Sequence, residues 1–418
     1  MPFLSRHSWP VVLIRTPFCI VFFIVGVLSI RFTQVLADLL FKSLPRVYHL
    51  IANLTKVHFL TLLAFLTSII NPSKVVVTYN YDDLPKSNSF KVDSNGNLSS
   101  ILSPNSVWIS NHQIYTDWLY LWFMAYTGRF ADSVYIVLKE NLAKIPVLGP
   151  GMQVFKFLFL SRKWETDKVN LTNQLLEIDA DARGLGPASG VRCISSTNPS
   201  LPGVAQWPKG DHPDKRIWPY QLIIYPEGTV KSPHTRERSD KFVRNLNRPL
   251  LKHVLLPRVR GIFLMLRLLR DTCEVVYDVA CGYGGLKPED YGEDVFTLKA
   301  FYLLGYGPSS VNYHIRAWNL KDIPLGNDDS VDIDTVDPEV LKKFEDWLFT
   351  VWYEKDKLMD KYYKTGTFAE AGNSKSRTVT ADFKLKSSLE VVTPFVTLVS
   401  AFLILRLVVK GLWHLYCK

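Results

Sequence analysis

The chain has 418 residues, 47% of them hydrophobic, and carries a formal net charge of +10. That length and apolar content suffice for one large α/β domain with appendages, and five cysteines (Cys19, Cys193, Cys273, Cys281, Cys417) without Cys-x-x-Cys spacing signal neither a disulfide framework nor a zinc site. The basic residues are scattered among aromatic and apolar runs with no nucleic-acid motif, so a nucleic-acid partner is set aside in favour of an anionic membrane surface or phosphorylated substrates.

Residues 16–30 are uncharged and strongly apolar between Arg15 and Arg31, and residues 57–73 form a second apolar run after Lys56. A third covers 391–405 and extends to Val409 if Arg406 snorkels. Each is short against the roughly 20 residues that span a bilayer. Membrane insertion is expected for the first and the last, and the first reads as a retained anchor because no small-x-small cleavage site follows it at once. The second is open between a span and a re-entrant or interfacial helix. The alternative for all three is a buried core helix, against which the all-round apolarity of residues 18–27 argues.

Residues 74–79 then read as a strand, and 82–105, rich in Ser, Asn and Asp, as a surface loop or hairpin. Further strands are expected over 106–109, 134–138, 221–225, 275–280 and 310–317, separated by segments of helical length. The alternation predicts an α/β domain with a mixed, mostly parallel sheet flanked by helices. Glycines and prolines crowd residues 179–218, an irregular insertion. Residues 337–363 form a charged amphipathic pattern whose apolar side carries Phe344, Trp347, Leu348, Val351 and Trp352, expected to pack on the sheet. The organisation is therefore N-terminal membrane-embedded helices over 1–73, an α/β domain over 74–368, a polar linker over 369–388, and a C-terminal transmembrane segment over 389–418.

The segment Asn111-His112-Gln113-Ile114-Tyr115-Thr116-Asp117-Trp118 places a histidine and an aspartate five residues apart after an apolar stretch. On a regular helix the two would lie roughly 140° apart. For Asp117 to reach the imidazole, His112 must sit in the turn before a helix, with Ser110 or Asn111 as candidate caps. The pair is a general base with an orienting carboxylate, and no nucleophile accompanies it. Gly186-Pro187-Ala188-Ser189-Gly190 has its serine one place out of register for a Gly-x-Ser-x-Gly elbow. The nucleophile is expected to belong to the substrate.

Three further signals follow. Leu222-Ile223-Ile224-Tyr225-Pro226-Glu227-Gly228-Thr229 is an apolar strand that exits into a carboxylate and a glycine, where backbone amides and a side chain can converge on a small polar group. Taken alone it reads sooner as a β-turn with a solvated glutamate. Phe159-Leu160-Ser161-Arg162, with Lys163, ends an apolar run in cations suited to phosphate, Arg162 through its fork of donors. Val254-Leu255-Leu256-Pro257-Arg258 repeats the pattern of apolar run, proline and cation.

Asn111-His112-x4-Asp117, Phe159-Leu160-Ser161-Arg162, Pro226-Glu227-Gly228-Thr229 and Leu256-Pro257-Arg258, in this order, resemble the four blocks of the glycerolipid acyltransferase family. The segment 139–153, with Ile145-Pro146 and Gly149-Pro150-Gly151-Met152-Gln153, and His314-Ile315-Arg316 are similar to the branch of lysocardiolipin, lysophosphatidylinositol and endoplasmic-reticulum lysophosphatidate acyltransferases. The resemblance implies a multi-pass protein of the endoplasmic-reticulum membrane that moves an acyl group from acyl-coenzyme A to a lysophospholipid, with no cofactor beyond that co-substrate and no metal. It implies His112 as base, Asp117 as its partner, Glu227, Gly228 and Thr229 as acceptor-binding residues, Arg162 as phosphate ligand and Arg258 as a second candidate for that role. Val230 stands where many relatives carry Arg or another polar residue, which bears on the acceptor and not on the reaction. The basic cluster Lys231, Arg236, Arg238, Lys241 and Arg244 is open between a phosphate or headgroup contact and a solvated face. Two rival readings remain: a hydrolase using the same base on water, and a non-catalytic membrane lipid scaffold.

Overall fold

The computed structural model describes residues 7–161, 163–210, 218–370 and 372–416. Two long helices open the chain, α1 (Trp9–Phe41) and α2 (Pro45–Ile70). Helix α1 runs past its apolar stretch at both ends and α2 at its N-terminal end, because the charges at Arg15, Arg31 and Lys56 interrupt hydropathy without breaking a helix, while α2 stops at Ile70, short of residue 73. At 33 residues, α1 is about 50 Å long at 1.5 Å per residue. Pro45 starts α2 where its missing N–H costs nothing.

The sheet that follows has eight strands: β1 (Lys74–Asn80), β4 (Asn105–Ser110), β5 (Val134–Lys139), β6 (Leu158–Leu160), β7 (Tyr220–Ile224), β8 (Val275–Tyr283), β9 (Ser310–Asn319) and β10 (Ser376–Asp382), in spatial order β10-β1-β9-β8-β4-β7-β5-β6. Its pairs are parallel except β1 with β10 and β8 with β9, so it is mixed and mostly parallel, as expected. The polar segment 82–105 contains a separate hairpin, β2 (Ser89–Val92) with β3 (Leu98–Ile101). The helices after α2 are α3 (Asp117–Thr127), α4 (Leu148–Val154), α5 (Trp164–Ala182), α6 (Pro233–Asn245), α7 (Val259–Leu268), α8 (Gly292–Val295), α9 (Pro338–Thr365) and α10 (Val396–Tyr416).

Strand β4 is buried at every residue. Trp108 faces a core shared with α2 and α3, while Val107 and Ile109 face one shared with α5, α7 and α9. Its polar members are satisfied sideways: Ser106 Oγ and Trp108 Nε1 donate to Gln221 Oε1 at 2.7 and 2.9 Å. Because β4, β5, β6, β7 and β8 run the same way, their C-terminal ends share one edge of the sheet, where open α/β sheets place their ligands.

Helix α2 belongs to this architecture. Of its most apolar window 72% is buried inside the protein, against 28% for α1 and 6% for Ser388–Lys410, although all three are long and apolar enough to cross a membrane. Phe59 packs against Trp122 and Phe155, and Lys56 lies over the Tyr135 ring at 4.0 Å. The helix is a layer of the α/β domain, which the boundary drawn at residue 73 does not convey.

The insertion over 179–218 begins with the last turn of α5 and continues, through residue 210, with one short 3-10 turn and an isolated bridge between Ser195 and Gln206. Residues 211–217 lie outside the described residues. The expected linker over 369–388 is corrected by β10, which pairs with β1 from Lys74↔Asp382 to Asn80↔Ser376. Only Ala381 of this strand is buried, so the apolar alternation that marks a half-buried strand is missing; backbone pairing to an edge does not need it. Phe383 then enters the core against Phe123 and Tyr120, with ring centroids 4.4 and 5.0 Å away. Phe383→Ala is expected to cost about 3–5 kcal/mol of stability, measurable by thermal unfolding in detergent, whereas a residue in a linker would cost nothing.

Candidate active site

The site stands on the exit of β4. Ladder pairing with β8 ends at Ser110, opposite Val279, and Asn111 extends it with a side chain: Nδ2 donates to Cys281 O at 3.0 Å and Oδ1 accepts from Cys281 N at 2.8 Å. The chain then turns through residues 112–116, and α3 starts at Asp117. Neither Ser110 nor Asn111 caps the helix. The N-cap is Thr116, and it makes no side-chain cap bond.

Asp117 instead turns its carboxylate back onto the loop. His112 Nδ1 lies 2.7 Å from Oδ2. The same carboxylate accepts from Gln113 N–H at 2.7 Å, from Ile114 N–H at 3.2 Å and from the Tyr283 hydroxyl. So occupied, it serves as an acceptor for Nδ1–H, which assigns the tautomer and leaves the lone pair on Nε2. The His112 side chain keeps 19% exposure against 3% for Asp117, and its ring stacks on Tyr225 with centroids 4.4 Å apart.

Strand β7 delivers the second block beside the first. Gly228 N–H closes a turn onto Tyr225 O at 2.9 Å, and Gly228 has φ +71°, a left-handed conformation that favours glycine. The buried Glu227 accepts the His112 N–H at Oε2 (3.3 Å), and Lys231 N–H returns to His112 O at 3.1 Å. Burial pushes the Glu227 carboxyl up to about 8, with the His112 N–H and the charge of Lys355 pulling the other way. Thr229 follows, half-buried. Arg258, ahead of α7, donates its backbone N–H to Pro226 O at 2.7 Å. Its exposed side chain lies over Gly228, where an added Cβ would sit 3.0 Å from Nε. Four of the five expected substrate-binding residues, Glu227, Gly228, Thr229 and Arg258, are thus together beside His112. Arg162, the fifth, lies outside the described residues. Strand β6, which precedes it, is three strand spacings from β4, roughly 14 Å.

Sequence reasoning missed the support behind this edge, which comes from α9. Lys355 is fully buried: its Nζ lies 2.7 Å from Val279 O, midway along β8, 3.4 Å from Ile109 O, near the end of β4, and 2.6 Å from Asp278 Oδ1. Arg316 Nε is 2.5 Å from Asp278 Oδ2. Burial drives the Asp278 carboxyl up, but Lys355 and Arg316 outweigh it and hold it below the usual carboxylate range. The next residue, Asp356, accepts the backbone N–H groups of Lys252, His253 and Val254 and so anchors the segment that leads to Arg258. Tyr363 donates to Gln113 Oε1 at 3.3 Å. Arg316 was marked in the sequence only as part of His314-Ile315-Arg316, and for Lys355 and Asp356 the signal was the pattern of the helix itself, in which these charges look solvated.

The basic cluster divides. Arg236 is bound to the backbone of Leu251 and Lys252 and to Asp240, Lys231 is buried with its amine lowered by burial, and Arg238, Lys241 and Arg244 are exposed. The apolar run after Asp117 packs as core from Leu119 onward. Among the described residues no group of three or more His, Cys, Asp or Glu is placed to hold a metal ion.

An α/β sheet that presents a carboxylate-held histidine next to a Glu-Gly-Thr turn has the parts of an acyl-transfer site. A family model described as Acyltransferase matches residues 79–283, and one described as Acyltransferase C-terminus matches 302–394. A 2-acyl-1-lysophosphatidylinositol acyltransferase of Saccharomyces cerevisiae is 39% identical over 334 residues, 80% of each chain. Lysocardiolipin acyltransferase 1 of Danio rerio is 24% identical over 62% of this chain and 53% of its own. The 1-acyl-sn-glycerol-3-phosphate acyltransferase delta of Homo sapiens is 25% identical over 64% and 55%. The chain belongs to the acyltransferase family.

The buried Glu227 predicts a pH dependence of stability. Its folded pKa of about 8 exceeds the ordinary value of 4.5, so its contribution is complete below 4.5 and is lost as pH rises toward 8. The slope from this group approaches about 1.4 kcal/mol per pH unit. Glu227→Gln is expected to flatten the fall of the thermal midpoint between these pH values; an unchanged slope would show the carboxyl to be ionised throughout.

Proposed function

We propose that the protein transfers a fatty acyl group from acyl-coenzyme A to the free hydroxyl of a lysophospholipid of the lysophosphatidate or lysophosphatidylinositol type, at the endoplasmic-reticulum membrane. The observation that carries this reading is the His112–Asp117 contact through Nδ1, which leaves Nε2 free to act as the base. His112 takes the proton as the hydroxyl oxygen attacks the thioester carbonyl carbon. The tetrahedral adduct then expels the thiolate, which recovers that proton from the imidazolium, leaving an ester and free coenzyme A. Asp117 stabilises the imidazolium while it exists. Glu227, largely protonated near neutral pH, keeps a donor and an acceptor available for the acceptor's polar headgroup without repelling a phosphate. In this reading Arg258, whose side chain lies over Gly228, meets that phosphate, and Arg162 is assigned the same ligand by its block. The endoplasmic-reticulum location rests on the likeness of segment 139–153 and of His314-Ile315-Arg316 to the branch that includes lysophosphatidate acyltransferases of that membrane. No cofactor beyond the co-substrate is invoked.

Purified protein given radiolabelled acyl-coenzyme A and a panel of lysophospholipids is expected to place the label in diacyl phospholipid. His112→Ala should lower turnover by about 10²–10⁴-fold with little change in thermal midpoint. Label released as free fatty acid would favour hydrolysis, and activity retained in His112→Ala would remove the base.

A further inference from the structure

The segment 140–148 takes no part in the site above, yet it leaves β5 at the sheet edge that carries His112 and Glu227. Leu142, Ile145 and Val147 are all exposed in it. The loop that presents them is tightly built. Val147 has φ 65° and ψ −51°, with Leu148 N–H donating across it to Pro146 O at 2.7 Å, a γ-turn that a β-branched residue adopts only under strain. Gly149 sits so close to Ala143 O that a Cβ there would lie 2.1 Å from it. Strained backbone that displays apolar side chains outward signals a surface kept for contact.

Its neighbour identifies the contact. Val147 and Leu148 line a narrow hollow with Ile30, Arg31 and Gln34 of α1, and Gln34 Nε2 donates to Gly151 O at 3.4 Å. On α1, Leu28, Phe32 and Val35 are exposed on the side of the helix next to the one that meets the loop, with Arg31 between, so the loop stands beside a helix able by length and composition to cross a membrane. Lys139 precedes the loop, and within it Lys144 pairs with Glu140 at 3.6 Å, so the loop's net contribution to an anionic headgroup layer is the one cation of Lys139.

We propose that Leu142, Ile145 and Val147 insert into one leaflet of the bilayer beside α1, seating the catalytic edge at the headgroup level so that a lipid acceptor enters sideways from the leaflet. The route rests on the acyl-transfer reading; the insertion does not.

The test uses full-length protein in nanodiscs of phosphatidylcholine and phosphatidylinositol, with Cys193 and Cys417 replaced by serine. Bimane is attached at Ile145→Cys or, as a control on the α7 side of the domain, at Asp329→Cys, which is exposed. Doxyl-labelled lipid is expected to quench the label at 145 several-fold more than at 329, and aqueous iodide the reverse. Equal iodide quenching at the two positions would overturn the insertion. Ile145→Glu should then raise KM for a long-chain lysophospholipid several-fold without changing kcat or the KM for acyl-coenzyme A. Lipid quenching at 145 combined with an unchanged acceptor KM would overturn the lateral route alone, and a protein without transferase activity would still give the quenching result.

Discussion

Everything at the catalytic edge is referred to one buried carboxylate. Asp117 begins α3, yet its side chain reaches backward and gathers His112 Nδ1, two backbone N–H groups and the Tyr283 hydroxyl. Desolvating a carboxylate costs several kcal/mol, and hydrogen bonds to a charged acceptor return about 1.5–3 kcal/mol each. With all four made, the carboxylate ties the loop that carries His112 to the start of α3. The tautomer of His112 follows from that, and with it the direction of the basic lone pair.

A second layer of buried charge holds the strands that carry the pair. Lys355 ties the end of β4 to the middle of β8 through their carbonyls and is neutralised by Asp278, which Arg316 also engages. Asp356, one residue on, anchors the segment that brings Arg258 to Gly228. Lys355, Asp356 and Arg316 come from the region matched by the C-terminal family model, while Asp278, Arg258 and the histidine block come from the region matched by the first. The two regions form one domain, because β8 pairs with both β4 and β9 and α9 packs across that junction. The irregular insertion lies outside this framework.

Much of this was legible in the residues themselves. The spacing of His112 and Asp117 forbids a shared helical face, so a turn before α3 was required by geometry alone. Val107 and Ile109 announce a buried strand. What stayed hidden depends on tertiary context. Lys355 and Asp356 sit in a helix whose charges look solvated until β8 and the 252–254 segment close over them. Ser376-Arg377-Thr378-Val379-Thr380 has no apolar face, so only the free edge of β1 makes it a strand. Likewise the apolar half of α2 reads as a membrane segment, and its place on the sheet is revealed by Lys56 against Tyr135 and Phe59 against Trp122.

The dependence on Asp117 is tested most directly by Asp117→Asn, assayed for turnover alongside thermal unfolding and acyl-coenzyme A binding. An amide of the same shape can accept from only one oxygen and turns its NH2 toward N–H groups, so the ring loses its fixed tautomer. The expected result is a fall in kcat of about 10²–10⁴-fold with co-substrate binding retained. A folded variant with kcat within a few-fold of the parent would contradict the account.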